Sequence, residues 1–446
     1  MIQIKDKSKC CGCEACVQVC PKHCINFAQD HEGFFYPEAD VEKCIHCGLC
    51  EKVCPVLHPY NEHEPQEVLA AINNNDEVRK ESSSGGIFTL LAVEVIRQGG
   101  AVFGVRFDEQ WQAVFDCAET IEALAAFRGS KYLQARVGDS FTKCKQLLDQ
   151  GRQVLFSGTQ CQIAGLLHFL RKPYSNLLTV DFICHGVPSP KVWKYYLKEV
   201  VCAGQQAITD IKFRDKRLDW KCFSFALDYN EQNQCYTLTS PFTKNPFMNA
   251  FLANLILRPS CYSCPAKGGR SNSDITIADF WGIDQIIPEM DDDGGTSLVL
   301  IHTEKGQSSF RRDNIKYAKA TYEDVLHFNP SIVQSSTCHP KRSMFFTAFD
   351  NQTNLHHLIK DCIRAPWRNR MKSAIKTVCK QLFVKFAGGT LLTDEDITTI
   401  DISNISNVKV NSVRFRSKTH SWKQYELEIM LQLSGEKKSG SLKKNR

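Results

Sequence analysis

The chain opens with a cysteine string that occurs twice. Cys10, Cys13, Cys16, Cys20 and Pro21 are spaced C-x2-C-x2-C-x3-C-P, and 34 residues later Cys44, Cys47, Cys50, Cys54 and Pro55 repeat the string. Three thiolates on one tight loop can each cap an iron of a cube, while the fourth, opening the next helical turn, reaches across to a second cube. The spacing therefore predicts two 4Fe–4S clusters. Cys10, Cys13, Cys16 and Cys54 would hold the first, and Cys44, Cys47, Cys50 and Cys20 the second. Zinc prefers four ligands in paired C-x2-C groups, and disulfides are rare in a reducing compartment, so neither suits this three-plus-one rhythm. Cys11 and Cys24 are surplus and read as plain thiols.

Ten of the 22 cysteines fall within the first 54 residues, which places metal chemistry at this end. No charged-then-apolar leader opens the sequence, and the longest nearly apolar run, Ile87 to Ile96, is far short of the roughly 18 residues a membrane span needs. A cytoplasmic protein is expected. Its 446 residues suggest two or three domains, divided as 1–60 (ferredoxin-like), 61–345 (main body), 346–434 (mixed extension) and 435–446 (a basic, disordered tail). The net charge of +6 is concentrated late, since residues 360–446 carry 18 Lys and Arg against 8 Asp and Glu. No nucleic-acid module accompanies it, and nucleic acid is excluded as a partner.

In the body, short β-rich runs alternate with helical patterns. Strands are expected at Glu67 to Ile72, Ala101 to Phe107, Val154 to Ser157 and Leu177 to Cys184, with helices at Ile87 to Arg97, Asp139 to Gln150, Ile163 to Phe169 and Val192 to Val201. The fold class is α/β (α+β overall), built on a largely parallel sheet, with an antiparallel insertion from about Lys212 to Thr243. Neither a G-x-G-x-x-G fingerprint nor a P-loop occurs.

Glu81-Ser82-Ser83-Ser84-Gly85-Gly86 places three hydroxyls and two glycines before the helix at Ile87, where an anion or merely a helix cap is possible. Gly129-Ser130-Lys131-Tyr132 adds a cation and a ring in one loop. Cys161 and Cys184 both follow strands, at the sheet edge where open α/β sheets bind ligands. Cys261 and Cys264 form a C-x2-C-P unit. Four thiolates could converge on a third 4Fe–4S cluster, or be buried strand-end thiols beside a C-x2-C that binds nothing or zinc. Cys117, Cys144, Cys202, Cys222, Cys235, Cys338, Cys362 and Cys379 are isolated. His185, after Cys184, reads as structural more readily than as a proton donor.

Taken together, these loops, with Ser157-Gly158-Thr159-Gln160-Cys161-Gln162, Asp181 to Pro190 and Asp274 to Gly282, resemble the coenzyme F420 hydrogenase/dehydrogenase beta-subunit family over roughly residues 68 to 345. Gln160 stands where many relatives have Pro, and Ala278 where many have Gly. The resemblance implies an FAD (or FMN) at the sheet edge, contacted by Ser84, Gly85, Gly86, Lys131 and Tyr132, with Lys267, Asp279 and Trp281 near the same pocket. It also implies a third 4Fe–4S cluster on Cys161, Cys184, Cys261 and Cys264.

The expected function is an iron–sulfur flavoprotein oxidoreductase that passes electrons between a hydride carrier, deazaflavin-type or other, and ferredoxin-type clusters, and so to a redox partner protein or ferredoxin-like carrier. The alternatives are a ferredoxin-dependent reductase of a specific organic substrate, as in surface-polysaccharide metabolism, and a non-enzymatic electron-transfer coupling subunit. Pro366 to Phe386 reads as a basic amphipathic helix that could touch a membrane surface peripherally or dock a partner, although packing on the body is the simpler expectation. Lys409 to Leu433 suggests strands.

Overall fold

The structure, a computed structural model, describes residues 1–200, 207–217, 219–231, 234–349, 354–364, 409–417, 424–433 and 436–445. They fall into two compact units, Met1–Ile363 and Arg364–Arg446. Within the first, each copy of the cysteine string carries one short helix, Ala15–Gln18 or Leu49–Lys52, and between them β1 (Ile25–Gln29) and β2 (Phe35–Ala39) pair antiparallel with Ile25 opposite Ala39. The loop geometry repeats with the sequence. Gly12 and His46, the matching residues of the two copies, have φ of 74° and 56°, and Glu14 and Gly48 have 61° and 74°.

The body is organised by an eight-stranded sheet. Its strands are β3 (Glu67–Asn73), β4 (Ala101–Phe107), β5 (Ala113–Ala118), β6 (Val154–Thr159), β7 (Leu177–Phe182), β11 (Ile275–Asp279), β12 (Ser297–Ile301) and β13 (Ile315–Lys319), in the order β13-β3-β12-β11-β7-β6-β4-β5. The central strands β11, β7, β6 and β4 run parallel, while β5 on one flank and β12, β3 and β13 on the other pair antiparallel. The expectation of a largely parallel sheet thus holds for its centre only. Helix crossovers build the centre, whereas hairpins and longer returns build the flanks, and strand–helix alternation in a sequence reports only the former.

Both faces of the sheet are covered, which is why β6 and β7 read as continuous apolar runs. The helix Ile87–Arg97 lays Ile87, Leu91 and Val95 over one face with Val102, Leu155 and Val180. On the other, Phe141 of the helix Ser140–Asp149 and Ile163 and Leu166 of the helix Gln160–Leu170 pack on Phe103 and Phe156. The antiparallel insertion comprises β8 (Ala207–Asp215), β9 (Ser224–Glu231) and β10 (Gln234–Pro241), ordered β10-β9-β8. Its Phe213, Phe225 and Leu227 join Trp193, Tyr196 and Phe247 in the core.

In the second unit, β14 (Lys409–Ser417), β15 (Gln424–Leu433) and β16 (Glu436–Asn445) form an antiparallel sheet in that order. The tail expected to be disordered over 435–446 contains β16. Charge and Gly/Ser content describe a segment alone, while pairing with β15 gives its backbone a partner. The helix expected over Pro366 to Phe386 lies outside the described residues, as do Cys202 and Cys379. Among the described residues, no helix is long and apolar enough to cross a membrane.

Candidate functional site

The cysteines of the repeat gather in interleaved sets. Burial, with Cys10, Cys54 and Cys50 as neighbours, pushes the Cys16 thiol well up, and Cys54 in turn lies beside Cys10. Cys20, Cys44, Cys47 and Cys50 ring a separate cavity together with Ile45. Ile2 N donates to Cys50 Sγ at 3.3 Å, and His46 N to Cys44 Sγ at 3.4 Å. The surplus Cys24 has its sulfur 3.4 Å from that of Cys20, a contact that, with burial, pushes its thiol up to about 11.

The first copy is pressed into the body. Buried Glu14 accepts from Arg136 Nε at 3.0 Å, Val137 N at 2.9 Å and Gly138 N at 3.3 Å. A methyl group on Gly165, one turn into the helix Gln160–Leu170, would stand 2.9 Å from Cys13 Sγ, and one on Gly12 would stand 2.2 Å from Gln134 Nε2. Arg258 completes the joint. Its Nε donates to Cys10 O at 2.8 Å, Nη1 to Gln134 Oε1 at 2.9 Å, and Nη2 to Phe35 O at 2.9 Å and Cys10 Sγ at 3.5 Å.

Beside this joint lies a second thiol-lined cavity. Cys161 comes from the first turn of the helix Gln160–Leu170, where Thr159 Oγ1 donates to Gln162 Oε1 at 2.9 Å and lies 3.3 Å from Cys161 Sγ. Cys184 lies two residues past β7, and Cys261 and Cys264 come from the turn at Pro259–Ser263. All four line one cavity, with His185 and Lys267 on its wall. Val187 N donates to Cys261 Sγ at 3.4 Å. Burial pushes the Cys184 thiol up to about 12 and that of Cys264 up to about 11. Thiols so disfavoured as free anions ionise readily only against a cation such as iron. Among the described residues no three His, Cys, Asp or Glu side chains converge as a mononuclear ion requires; the thiols are spread around their cavities instead.

The fifth thiol of this cavity is Cys11. Its thiol lies between Cys13 on one side and Cys161 on the other, so the residue set aside as surplus neighbours both cysteine groups. Its spacing carried no such signal. His185, also on the wall, packs edge-on against Phe251 at 5.0 Å, burial lowers its pKa, and its Nε2 has no partner.

The residues expected around a flavin divide. Tyr132 stacks on Phe251 at 4.8 Å and meets Arg214, which ion-pairs with Asp279 and lies 5.6 Å over the Trp281 ring. Trp281, 39% exposed, stacks on Trp220 at 5.1 Å. Arg214 Nε and Nη2, Asp279 Oδ1 and Trp220 Nε1 are buried without hydrogen-bond partners. The Ser84 loop is tied in through Lys216, whose Nζ donates to Ser84 O at 3.1 Å, Arg79 O at 2.8 Å and Gly294 O at 3.0 Å. Arg214 and Lys216 had no recognisable motif.

The loop's own polar groups are engaged. Ser82 Oγ donates to Val78 O, Ser83 Oγ meets Ser130 Oγ and N, Ser84 Oγ donates to Thr296 O and Gly85 N donates to Ser297 Oγ. Gly86, φ 82°, opens the helix at Ile87. Lys131 Nζ donates to Ala126 O and Arg128 O, both at 2.8 Å, and burial lowers its pKa to about 7. Lys267 stands apart from this group, donating to Cys184 O and Ser331 O at the thiol cavity.

Residues 151–323, which contain all four of these cavity cysteines, match the family described as the C terminus of the coenzyme F420 hydrogenase/dehydrogenase beta subunit. That stretch, less than half of the chain, is similar to this beta-subunit family. Residues 9–57 match a 4Fe-4S dicluster domain, and a second dicluster match spans 40–119. The first coincides with the cysteine repeat, whereas the second runs on through β3, the helix Ile87–Arg97 and β4, which belong to the large sheet; the repeat is the part that carries the ferredoxin assignment. No curated protein matches the chain. Among solved structures, the F420-reducing NiFe hydrogenase complex from Methanosarcina barkeri aligns at 16% identity over 71% of this chain and 93% of that chain, with a TM-score of 0.39, a likeness too slight to speak for its chemistry.

Proposed function

We propose that this iron–sulfur electron-transfer protein is an oxidoreductase in which a hydride carrier, of deazaflavin type or another, exchanges electrons at FAD, and in which a third 4Fe–4S cluster on Cys161, Cys184, Cys261 and Cys264 connects that site to the ferredoxin pair and an external redox partner. The observation that carries the reading is the continuity of thiols: four cysteines remote in sequence ring one cavity, and Cys11 joins that cavity to the ferredoxin loop.

A bound flavin supplies the conversion between a two-electron hydride and the single electrons that iron–sulfur clusters accept. The residues beside Trp281 suit it. Arg214 offers two unpaired donors, Asp279 one unpaired acceptor and Trp281 a half-exposed ring face, the complement of a flat heterocycle with both donors and acceptors on its edge. Arg214 and Asp279 would orient that edge while the Trp220–Trp281 stack excludes water from one face. Lys267, at the thiol cavity, would offset the negative charge of thiolate-bound iron.

The full engagement of the Ser82, Ser83 and Ser84 hydroxyls favours a second reading, a coupling subunit that carries electrons without a flavin. Anaerobic purification with iron, sulfide and flavin quantified on one sample separates the two. About twelve irons and one FAD per chain support the flavoenzyme; about eight irons and no flavin withdraw it in favour of the coupling subunit. With FAD present, a screen of hydride donors against organic substrates distinguishes a carrier oxidoreductase from a substrate-specific reductase.

A further inference from the structure

Among the described residues of the first unit Arg214 and Arg258 are buried and Arg342 is partly so, and two of these three have carboxylate partners. Arg214 pairs with Asp279, and Arg342 with Glu32 at 2.5 Å. Arg258 is 0% exposed, and among the described residues no carboxylate pairs with it. Its acceptors are the neutral carbonyls of Cys10, Phe35 and Gln134, and its guanidinium lies over the rings of Tyr36 at 4.2 Å and Phe34 at 5.6 Å. A guanidinium stays protonated, and a buried charge without a counter-ion costs several kcal/mol even after relaxation. The charge that answers it must come from its surroundings. The ionisable groups that face Arg258 include the thiols of Cys10, Cys11, Cys161 and Cys261 and the phenol of Tyr36, which burial holds protonated. Cys10 Sγ accepts from Nη2, and Cys261 N donates to Arg258 O at 2.9 Å. A cube with four thiolates is a net anion, and it becomes more negative by one charge when it accepts an electron.

We propose that Arg258 is a positioning residue, the buried counter-charge of the 4Fe–4S cluster on Cys10, Cys13, Cys16 and Cys54, and that it makes this cluster the higher-potential member of the ferredoxin pair. Hydrogen bonds to the sulfurs and nearby charge set cluster potentials, and a buried cation favours the reduced form. Among the described residues the second set has no buried equivalent, the cation on its cavity wall, Lys22, being exposed. Its sulfurs accept from the backbone N–H groups of Ile2 and His46, and the terminal ammonium near Cys44 and Cys50 is already paired with Glu51 at 3.2 Å. The first cluster is then the station on which an electron arriving from the cavity of Cys161 and Cys261 comes to rest before moving outward. The inference rests on the dicluster assignment and on the third-cluster reading for the direction of arrival; its effect on potential does not depend on the flavin.

The test is a redox titration of the full chain followed by electron paramagnetic resonance, with iron counted on each sample. Arg258→Gln is expected to retain its iron and to lower the midpoint of one ferredoxin cluster by at least about tenfold in its reduction equilibrium, about 59 mV for one electron, while Arg258→Lys stays near the parent protein. Iron-replete Arg258→Gln with both ferredoxin midpoints unchanged overturns the proposal. Should Arg258→Gln fail to assemble, the parent protein decides: equal midpoints for its two ferredoxin clusters overturn the proposal, and a higher midpoint for the cluster that spin-couples to the third supports it. A parent protein with about eight irons and no flavin removes the flavoenzyme reading and leaves the potential shift still measurable.

Discussion

The two copies of the cysteine string share a spacing and a backbone, yet they live in opposite surroundings. Cys11 is 8% exposed and touches Cys161, while its counterpart Ile45 is 56% exposed. Glu14 is buried and holds the backbone N–H groups of Val137 and Gly138, whereas an added Cβ on its counterpart Gly48 would meet nothing within 4 Å. Cys13 presses on Gly165, and its counterpart Cys47 lies exposed. The positive φ shared by Gly12 and His46 belongs to the loop, since it appears in both copies; the side chains belong to the neighbourhood. A duplicated motif has become a device with an inside and an outside. Its inner copy faces the body's thiol cavity, and its outer copy, with Val41, Ile45 and Leu57 exposed nearby, would on the proposed reading face the collector of the electron.

Breaking the inner end has the largest effect. Cys264→Ser is expected to lose about four irons while the ferredoxin retains about eight, read by iron and sulfide analysis; a full iron content would sink the third-cluster reading. Cys11→Ala, by contrast, should keep every iron.

Next comes the pH response of the buried side. Asp181 on β7 is fully buried, and burial raises its pKa to about 6. Hydroxyls of Ser271, Thr276 and Ser273 lie close and Lys267 is the nearby cation, but neither carboxyl oxygen has a hydrogen bond of good geometry. An acid whose folded-state pKa is raised supports the native state fully below its unfolded value near 4 and loses that support as pH rises to about 6. Asp181→Asn should therefore be the more stable protein at pH 7 by up to about 3 kcal/mol and show little advantage at pH 4, measured by denaturant unfolding.

The inner and outer loops can then be set against each other directly. Gly12→Ala drives a methyl group at the buried amide of Gln134 and should cost roughly 1–3 kcal/mol in the same assay, whereas His46→Ala should change stability by less than about 0.5 kcal/mol. Equal costs at the two positions would contradict the assignment of inside and outside. The smallest effect is expected from Ile45→Ser, which leaves iron content and stability as they were and slows reduction of an external ferredoxin-type acceptor.

Local features were the legible ones. Cysteine spacing announced the dicluster module, and unbroken apolar periodicity marked the helix at Ile87 and the strand at Ala101 to the residue. The cavity of Cys161, Cys184, Cys261 and Cys264 was visible as three separate fragments, whose convergence the sheet edge allowed and the family resemblance implied. What stayed hidden depends on contacts across the fold. Arg258 carries no motif and matters because it bridges Cys10 and Cys261; Arg214 and Lys216 stand in an insertion whose strands advertise only alternation; Cys11 looked idle because its partner is 150 residues away. The flanking strands of the sheet were misjudged for the same reason, because direction is decided by where a connection returns.

The contacts at Gly12 and Gly165 leave no space for a methyl group between the ferredoxin loop and the body. Interiors packed this closely transmit strain and deform little. A swinging ferredoxin arm must find its partner anew at every turnover and reorganise water at each encounter. On the proposed function, the gap that an electron crosses is set once, when the chain folds, and the passage between the two halves of the wire becomes a fixed property of the protein, with no search in it.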